Sequence, residues 1–370
     1  MHESRAQSAG IVLQMTKPLV SVVMIVCNVE RFLAEAIESI LDQTFRDFEF
    51  LIVDFGSTDN SKPIAASFAA IDERIKLHEV PHCSRPEARN AACGLAQGKY
   101  IAMPDADDIS LPDRLKWQVE FMEAHPEVAL LGGARDWIDS SGRHLFTVFE
   151  QTDDGAIRSD LAVRCAFSQT TILVRSNAFA FVGGYRAAFV QAEDYDFFLR
   201  ISEHFQCANL RQVVAKFRVH ARQLSTLKNT DQAICMLAAQ ISKAARKAGK
   251  PDPMDLADEI TPALLARLGV SAAVLQTTMA SLSSHWVRTM SVAGEYSLAL
   301  KDALQFLNSF DLDCAQRRPV ADLWLSVASL YWRKRQLVNA LHALARAVAA
   351  RPVVMGRPLK QMLDRLESSH

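Results

Sequence analysis

The first hundred residues alternate between short continuous apolar runs and amphipathic stretches, a pattern that few folds accommodate. The apolar runs are residues 19–26 (LVSVVMIV), 48–54 (FEFLIVD), 75–80 and 99–103. Apolar side chains at helical spacing fill residues 32–41 between the first two runs. Buried strands alternating with helices are typical of parallel βαβ units. We therefore predict a doubly wound, mostly parallel α/β sheet covered by helices on both faces.

The rest of the chain divides by composition. Residues 128–226 mix predicted strands, among them residues 170–174 and 213–219, with a predicted helix at about 193–204. From residue 227 onward the β-rich runs disappear, alanine and leucine dominate, and an all-α region is predicted. The predicted organisation is a flexible tail (1–17), an α/β domain (18–226) and a helical C-terminal region (227–370).

Composition excludes several classes of protein. The 370 residues carry 41 basic and 42 acidic side chains, a formal charge of -1, so no bulk attraction to nucleic acid is expected. Seven scattered cysteines without a CxxC pair argue against a disulfide framework or a zinc ribbon. No apolar run approaches the roughly 18 residues that span a bilayer, and the first residues lack a signal-peptide core. We expect a cytoplasmic protein that at most lies on a membrane surface.

Two segments of the helical region share a loose pattern. Residues 285–308 and 323–351 each show an aromatic-rich helix, a polar break and an alanine-spaced second helix. Such pairing is typical of tetratricopeptide-like repeats. Two imperfect copies fit an ordinary helical bundle equally well, and the pattern does not decide between them.

Three aspartates follow the predicted fourth strand in the segment KYIAMPDADDIS (99–110). Ligands of doubly wound sheets bind beyond the carboxyl ends of the strands. Asp105 and Asp107, one residue apart, can converge there on Mg²⁺ or Mn²⁺, which prefer oxygen ligands and recruit substrate phosphates. The alternative is an Asp-rich turn that caps the next helix.

A second polar cluster, Asp54 to Asp59 in VDFGSTDNS, follows the second predicted strand on the same sheet edge. Two such strand ends favour a nucleotide-diphosphate pocket. The chain contains neither a GxGxxG nor a GxxxxGK[ST] motif, which argues against hydride transfer and kinase-like chemistry.

Four ordered blocks between residues 18 and 226 together resemble a known family. They are LVSVVMIVCNVERFLAEAIESILDQTFRDFEFLIVDFGSTDNS, ARNAACGLAQGKYIAMPDADDISLPDRL, GGYRAAFVQAEDYDFFLRISEH and FRVHARQLS. The chain resembles family 2 glycosyltransferases with the GT-A fold. This resemblance implies inverting transfer of a sugar from a nucleotide diphospho-sugar to a hydroxyl of a glycan or lipid-linked acceptor, with Mg²⁺ or Mn²⁺ as cofactor. Cell-surface polysaccharide or lipopolysaccharide synthesis is the expected setting.

The resemblance also assigns roles to acidic residues and a histidine. It places Asp105 near the ribose and metal, and it makes Asp107, with His220, a ligand of the metal that bridges the phosphates. Asp194 matches the general base and Glu193 precedes it on the acceptor side. Without the resemblance, Asp194 would be interpreted as a carboxylate favoured by the helix dipole, and His220 as a structural histidine.

Further matches concern donor and acceptor contacts. The resemblance implies donor contacts for Asp54, Phe55, Arg85 and Arg89. Either arginine can equally be a solvated surface residue. Gly184 and Tyr185 match a turn near the acceptor pocket, although a tight turn alone would also explain the glycine.

Two positions depart from the family pattern. Cys27 lies where the family usually has an aromatic residue beside the base, and Phe55 replaces an aspartate that commonly contacts uracil. Phenylalanine cannot accept a hydrogen bond from a base N–H but can pack against a ring. We expect an active enzyme with altered donor recognition. The alternative is a catalytically weak binding or scaffold protein with a helical interaction module.

The end of the chain is strongly basic. No acidic residue lies between Asp322 and Asp364, an interval that contains Arg333, Lys334, Arg335, Arg346, Arg351, Arg357 and Lys360. Trp324, Tyr331 and Trp332 supply aromatic side chains for an interface. The pattern suggests peripheral contact with the inner face of the plasma membrane. The alternative is a solvated helix face with its aromatics packed inward.

Overall fold

The computed structural model describes residues 17–80, 83–220, 229–309 and 317–351. The strands are β1 (Val20–Val26), β2 (Phe48–Asp54), β3 (Ile75–Glu79), β4 (Tyr100–Ala102), β5 (Ile109–Ser110), β6 (Val128–Ile138), β7 (His144–Val148), β8 (Leu173–Arg175) and β9 (Gln206–Arg218). The helices of the α/β part are α1 (Glu30–Leu41), α2 (Ser61–Ala69), α3 (Arg85–Gly94), α4 (Arg114–Ala124), α5 (Asp154–Leu161), α6 (Ser176–Phe181) and α7 (Glu193–His204). The helical region contains α8 (Asn229–Lys247), α9 (Pro262–Arg267), α10 (Ala272–Val292), α11 (Tyr296–Ser309), α12 (Arg317–Arg333) and α13 (Leu337–Ala350).

The strands form one mixed sheet, which confirms the α/β prediction. Its order in the described residues is β3-β2-β1-β4-β8-β6-β9-β5, with β7 paired to β6. The first four strands are parallel, as predicted. Beyond β4 the sheet is less parallel than predicted, because β8 runs antiparallel to both β4 and β6, whereas β6 and β9 are parallel.

Strands β1 and β2 of the parallel half of the sheet are buried on both faces, which explains their continuous apolar sequences. Every residue of β2 and all but one of β1 are buried, as expected for strands covered on both faces. Helix α1 covers one face with Leu33, Ile37 and Ile40. The carboxyl ends of β1, β2 and β4 therefore lie together at one edge of the sheet, where the connecting loops build the site.

Two elements differ from the sequence prediction. The first two residues of the predicted strand 170–174 belong to a 3₁₀ turn, Gln169–Thr171, and only Leu173–Arg175 pair as β8. The segment ARNAACGLAQ predicts a helix over residues 88–97. Helix α3 instead begins three residues earlier, because Ser84 and Glu87 form a capping box and Pro86 occupies the first turn, and it ends at Gly94.

The C-terminal region is helical, as predicted. Helices α10 and α11 form one helix-turn-helix pair, and α12 and α13 form a second, in the two segments that share the sequence pattern. Trp286 and Met290 of α10 belong to a hydrophobic cluster against which Trp137 and Phe217 of the sheet also pack. Among the described residues, no helix combines the length and apolar content needed to cross a bilayer.

Helices α8 and α9 share a core with the sheet. Ile234, Ala238 and Leu265 lie in the same buried cluster as Val23 and Ile101. The division between residues 226 and 227 therefore remains a prediction about folding units, because apolar packing is continuous across it. The predicted tail lies almost entirely outside the described residues, as do Arg357 and Lys360.

Candidate active site

A cleft of about 1500 Å³ opens at the carboxyl ends of β1, β2 and β4. It is lined by the loops that follow these strands, the start of α7 and the end of β9. Eight of the predicted site residues line it: Phe55, Arg85, Arg89, Asp105, Asp107, Glu193, Asp194 and His220. The fold thus brings together side chains that are up to 165 positions apart, from Phe55 to His220, in one ligand-sized space.

The loops after β1 and β2 are locked to each other by hydrogen bonds. The backbone N–H and hydroxyl of Thr58 donate to Asn28 Oδ1 at 2.8 and 3.1 Å. Asp54 Oδ1 accepts from the backbone N–H groups of Gly56 and Ser57, both at 3.0 Å. The second carboxylate oxygen, Asp54 Oδ2, is buried without a protein partner among the described residues. Asp54 therefore shapes the turn that carries Phe55 and does not itself line the cleft.

Arg89 connects the aspartate loop to the start of α7. Its guanidinium donates to Asp105 Oδ1 and to Glu193 Oε1, each at 2.8 Å, and Arg85 reaches the same Glu193 oxygen at 3.4 Å. Burial alone would lower the pKa of Arg89, but Asp105 and Glu193 raise it. Arg89 is thus a paired, buried residue that fixes the spacing between the aspartate loop and α7, and it is not a solvated surface arginine.

Asp194 lies in the first turn of α7, two residues after one with unusual backbone geometry. Ala192 adopts φ = 54°, a left-handed conformation that alanine rarely takes and that occurs preferentially at functional sites. Burial, with the nearby Glu193 carboxylate, raises the pKa of Asp194 from 3.8 to about 6, and Arg89 opposes this shift. A carboxylate with such a pKa, lining a cleft, is suited to accept a proton near neutral pH.

Asp107 and His220 form the pair of potential metal ligands. Asp107 Oδ2 lies 2.9 Å from His220 Nε2, and the His220 ring packs on Phe32 with centroids 4.7 Å apart. The described residues contain no cluster of three or more acidic, histidine or cysteine side chains arranged for a metal. Two donors facing a cleft fit Mg²⁺ or Mn²⁺, because these ions commonly complete their coordination with water and substrate phosphates.

The sequence did not single out Arg218, which holds the aspartate loop in place. Its backbone N–H donates to Asp108 Oδ1 at 2.7 Å, and its Nε donates to the Asp107 carbonyl at 3.0 Å. A further bond to Glu35 ties the loop to α1. Its position two residues before His220 was the only available signal.

Gly184 and Tyr185, predicted for the acceptor side, do not line the cleft. Asn90 Nδ2 donates to the Tyr185 carbonyl at 2.6 Å, and the Tyr185 N–H donates to Asn90 Oδ1 at 2.8 Å. The Tyr185 ring is buried beneath Arg89, with the guanidinium 5.7 Å from its centroid. These residues support the cleft floor from behind.

Two lining residues come from the helical region, and no sequence motif marks them. Gln232 lies on α8, and Glu295 occupies the turn between α10 and α11. The C-terminal helices therefore build part of the cleft wall.

This architecture, a parallel βαβ half continued by a mixed half with an acidic loop beyond β4, is that of the GT-A fold. The mannosyltransferase PcManGT from Pyrobaculum calidifontis, solved with GDP-Man and Mn²⁺, has a similar fold: the TM-score is 0.50 at 19% identity, covering 91% of this chain and 88% of that one.

Sequence comparison identifies the family. The model of glycosyl transferase family 2 matches residues 21–182. EpsE of Bacillus subtilis, described as a glycosyltransferase, is 36% identical over 54% of this chain and 73% of its own length. TuaG of Bacillus subtilis, described as a teichuronic acid biosynthesis glycosyltransferase, is 40% identical over 29% of this chain and 42% of its own length. The chain belongs to glycosyl transferase family 2 and is a glycosyltransferase.

Proposed function

We propose that the chain transfers a sugar, with inversion, from a nucleotide diphospho-sugar to an acceptor hydroxyl. The observation that carries this proposal is that the aspartate loop and the start of α7 face the same cleft. Arg89 bonds both Asp105 and Glu193, and Asp107 and Asp194 line the cleft beside them. A single displacement needs one group that stabilises the departing diphosphate and another that takes the proton of the attacking hydroxyl, and this cleft offers acidic side chains for both tasks.

Asp194 is the proposed general base. An acceptor hydroxyl is a poor nucleophile until its proton is removed in the transition state. The raised pKa of Asp194 brings its proton affinity closer to that of the transition state while leaving it mostly ionised at pH 7. Glu193 is occupied by Arg89 and Arg85, so its role is to orient the start of α7.

The donor end is assigned to Phe55, Arg85, Asp105, Asp107 and His220. Asp107 and His220 would hold Mg²⁺ or Mn²⁺, which would neutralise charge on the leaving diphosphate. The Mn²⁺ in the PcManGT complex supports this cofactor assignment. Asp54 would act on the donor only indirectly, because its carboxylate holds the turn that carries Phe55.

The biological setting is proposed from relatives. The similarity to TuaG, which is named for teichuronic acid biosynthesis, supports a role in cell-surface polysaccharide synthesis with a glycan or lipid-linked acceptor. We propose a cytoplasmic location for this activity, with nucleotide sugars as donors and no nucleic acid partner.

Screening purified protein against a panel of UDP-, GDP- and dTDP-sugars tests the function. We expect nucleotide release for one donor with Mn²⁺ or Mg²⁺, and its loss with EDTA. Asp107→Asn should weaken metal and donor binding together, because it removes a charged ligand while keeping the side-chain shape. Exposed Asp255, far from these ligands in sequence and 66% exposed, offers the matched control Asp255→Asn. Absence of donor binding across the panel would favour the scaffold alternative.

A further inference from the structure

The turn between α12 and α13 exposes an unusual amount of apolar surface. We define the hairpin tip as residues 332–341, the end of α12, the turn and the start of α13. Within it Trp332 is 40% exposed, Leu337 53%, Val338 80% and Leu341 60%. Every residue from Trp332 to Asn339 is exposed.

The exposed apolar residues lie on one side of α13. At 3.6 residues per turn, Leu337, Val338 and Leu341 fall within an arc of about 100°. Ala340, Ala343 and Ala347 are buried and form the side that packs inward. The exposed side chains are therefore additional to the core of the helical region.

The same tip carries uncompensated positive charge. Arg333, Lys334 and Arg335 fall within it, and the sequence from residue 323 to 351 contains no acidic residue. Among the described residues, none of these three forms a salt bridge; Arg333 and Lys334 instead donate to Tyr296 Oη and Ser297 Oγ, at 3.0 and 2.8 Å. Two neutral oxygen acceptors leave the positive charge available to an external anion.

We propose that the hairpin tip binds an anionic membrane surface, with Trp332, Leu337, Val338 and Leu341 entering the interface and the cations contacting lipid headgroups. Apolar side chains flanked by cations and by an aromatic ring are suited to the boundary between acyl chains and headgroups. Charge favours this occupant over a second copy of the chain, because two tips would bring like charges together.

The tip adjoins the cleft. Arg333 and Lys334 contact the first two residues of α11, and Glu295, the residue directly before that helix, lines the cleft wall. A membrane-bound acceptor would therefore reach the cleft from beside the tip, an inference that rests on the proposed function.

Co-sedimentation of the full chain with vesicles tests membrane binding directly. We expect binding to vesicles of equal parts phosphatidylcholine and phosphatidylglycerol, little binding to phosphatidylcholine alone, and weakening in about 0.5 M NaCl because salt screens the charges. Leu337→Ser with Val338→Ser and Leu341→Ser should reduce partitioning at least about tenfold, as should Lys334→Gln with Arg335→Gln. Ile71→Ser with Val163→Ser, at positions 80% and 71% exposed outside the tip, is the matched control and should bind like wild type.

Three results would overturn the proposal: no binding of the full chain, equal binding to both vesicle types, or tip variants that bind like the control. Sedimentation velocity tests whether the hairpin tip instead binds a second copy of the chain. Self-association that the triple serine variant abolishes would assign the surface to such a dimer. Donor turnover is measured separately without lipid, so an inactive chain that binds vesicles contradicts only the proposed function.

Discussion

Acidic and basic side chains contact one another in the cleft, and these contacts determine the position and the pKa of the groups involved. Arg89 lies between Asp105 and Glu193, and burial together with the adjacent Glu193 raises the pKa of Asp194. The sequence resemblance nominated all four residues. It could not show that Arg89 is shared between two carboxylates, because 104 residues separate Arg89 from Glu193 and only the folded chain brings them together.

Asp194→Asn should leave donor binding near wild type and reduce kcat by about a thousandfold, because general base catalysis contributes on this order. In the wild-type enzyme kcat should rise between about pH 5 and 7 and then level off, since the base must be ionised and its pKa is about 6. Steady-state kinetics across pH measures both. A variant with normal kcat, or a profile that falls over this range, would contradict the assignment.

The same substitution should stabilise the protein. The folded pKa of Asp194 lies above its ordinary value of 3.8, so the folded state holds the proton more tightly than the unfolded state. Wild type therefore loses stability relative to Asp194→Asn as pH rises from about 4 to 6, and the loss reaches about 3 kcal/mol at neutral pH. Urea unfolding at pH 4 and pH 7.5 checks this. An equal difference at both pH values would show that charge is not the cause.

Phe55→Asp should shift nucleotide preference toward UDP. The side chain lines the cleft beside the turn built on Asp54, and a carboxylate there can accept a hydrogen bond from a uracil N–H whereas a phenyl ring cannot. Calorimetric titration of wild type and variant with UDP and GDP gives the ratio of the two Kd values. An unchanged ratio would remove Phe55 from base recognition.

At the scale of elements, the βαβ half was predicted well because its strands are buried on both faces and its first helix is amphipathic. The strands of the mixed half of the sheet were harder to predict from the sequence. Residues 170–174 (TTILV) are β-branched or apolar, yet Thr170 and Thr171 belong to a 3₁₀ turn and β8 comprises only three residues. Local pattern cannot reveal that β8 will lie antiparallel between β4 and β6, since strand direction depends on a distant partner.

Two glycines differ in how closely neighbouring elements approach them, and substitution by alanine should therefore affect stability differently at the two positions. A Cβ on Gly98, which precedes β4, would lie 2.5 Å from the Ser21 backbone nitrogen of β1. Gly98→Ala should therefore cost about 2 kcal/mol or more by forcing two strands apart. Gly94→Ala is the control, because its Cβ would meet nothing within 4 Å at the end of α3, and it should be neutral or stabilising by up to about 1 kcal/mol. Thermal unfolding that ranks the two variants in the opposite order would refute the packing argument.

The whole molecule is held together by cores that cross the predicted domain boundary. Composition correctly separated a β-rich part from a helical part. It could not show that α8 and α9 pack within the sheet's own cluster, or that Trp286 packs in a cluster with Trp137 and Phe217. The sequence of an apolar segment does not reveal which distant residues it will pack against. The positions of Gln232 and Glu295 in the cleft also depend on this packing, so the sequence could not predict them.

Trp286→Ala should destabilise the full chain by about 3 to 5 kcal/mol, because a 7% exposed indole is lost from a cluster that joins helices to sheet. Trp332→Ala, at a 40% exposed position, is the matched control and should change stability by less than about 1 kcal/mol. Chemical denaturation followed by both far-ultraviolet circular dichroism and tryptophan fluorescence measures the difference. Equal losses in the two variants would argue against a shared core.

The turn that carries Glu295 has a consequence for how such a transferase acquires new substrates. Substitutions or length changes in a two-helix connection can reshape one wall of the cleft while the aspartates, the histidine and the paired arginines stay where the sheet holds them. Under the proposed function, this would make acceptor choice adjustable separately from the bond-making residues, and exchanging the connection between relatives would show which substrates it selects.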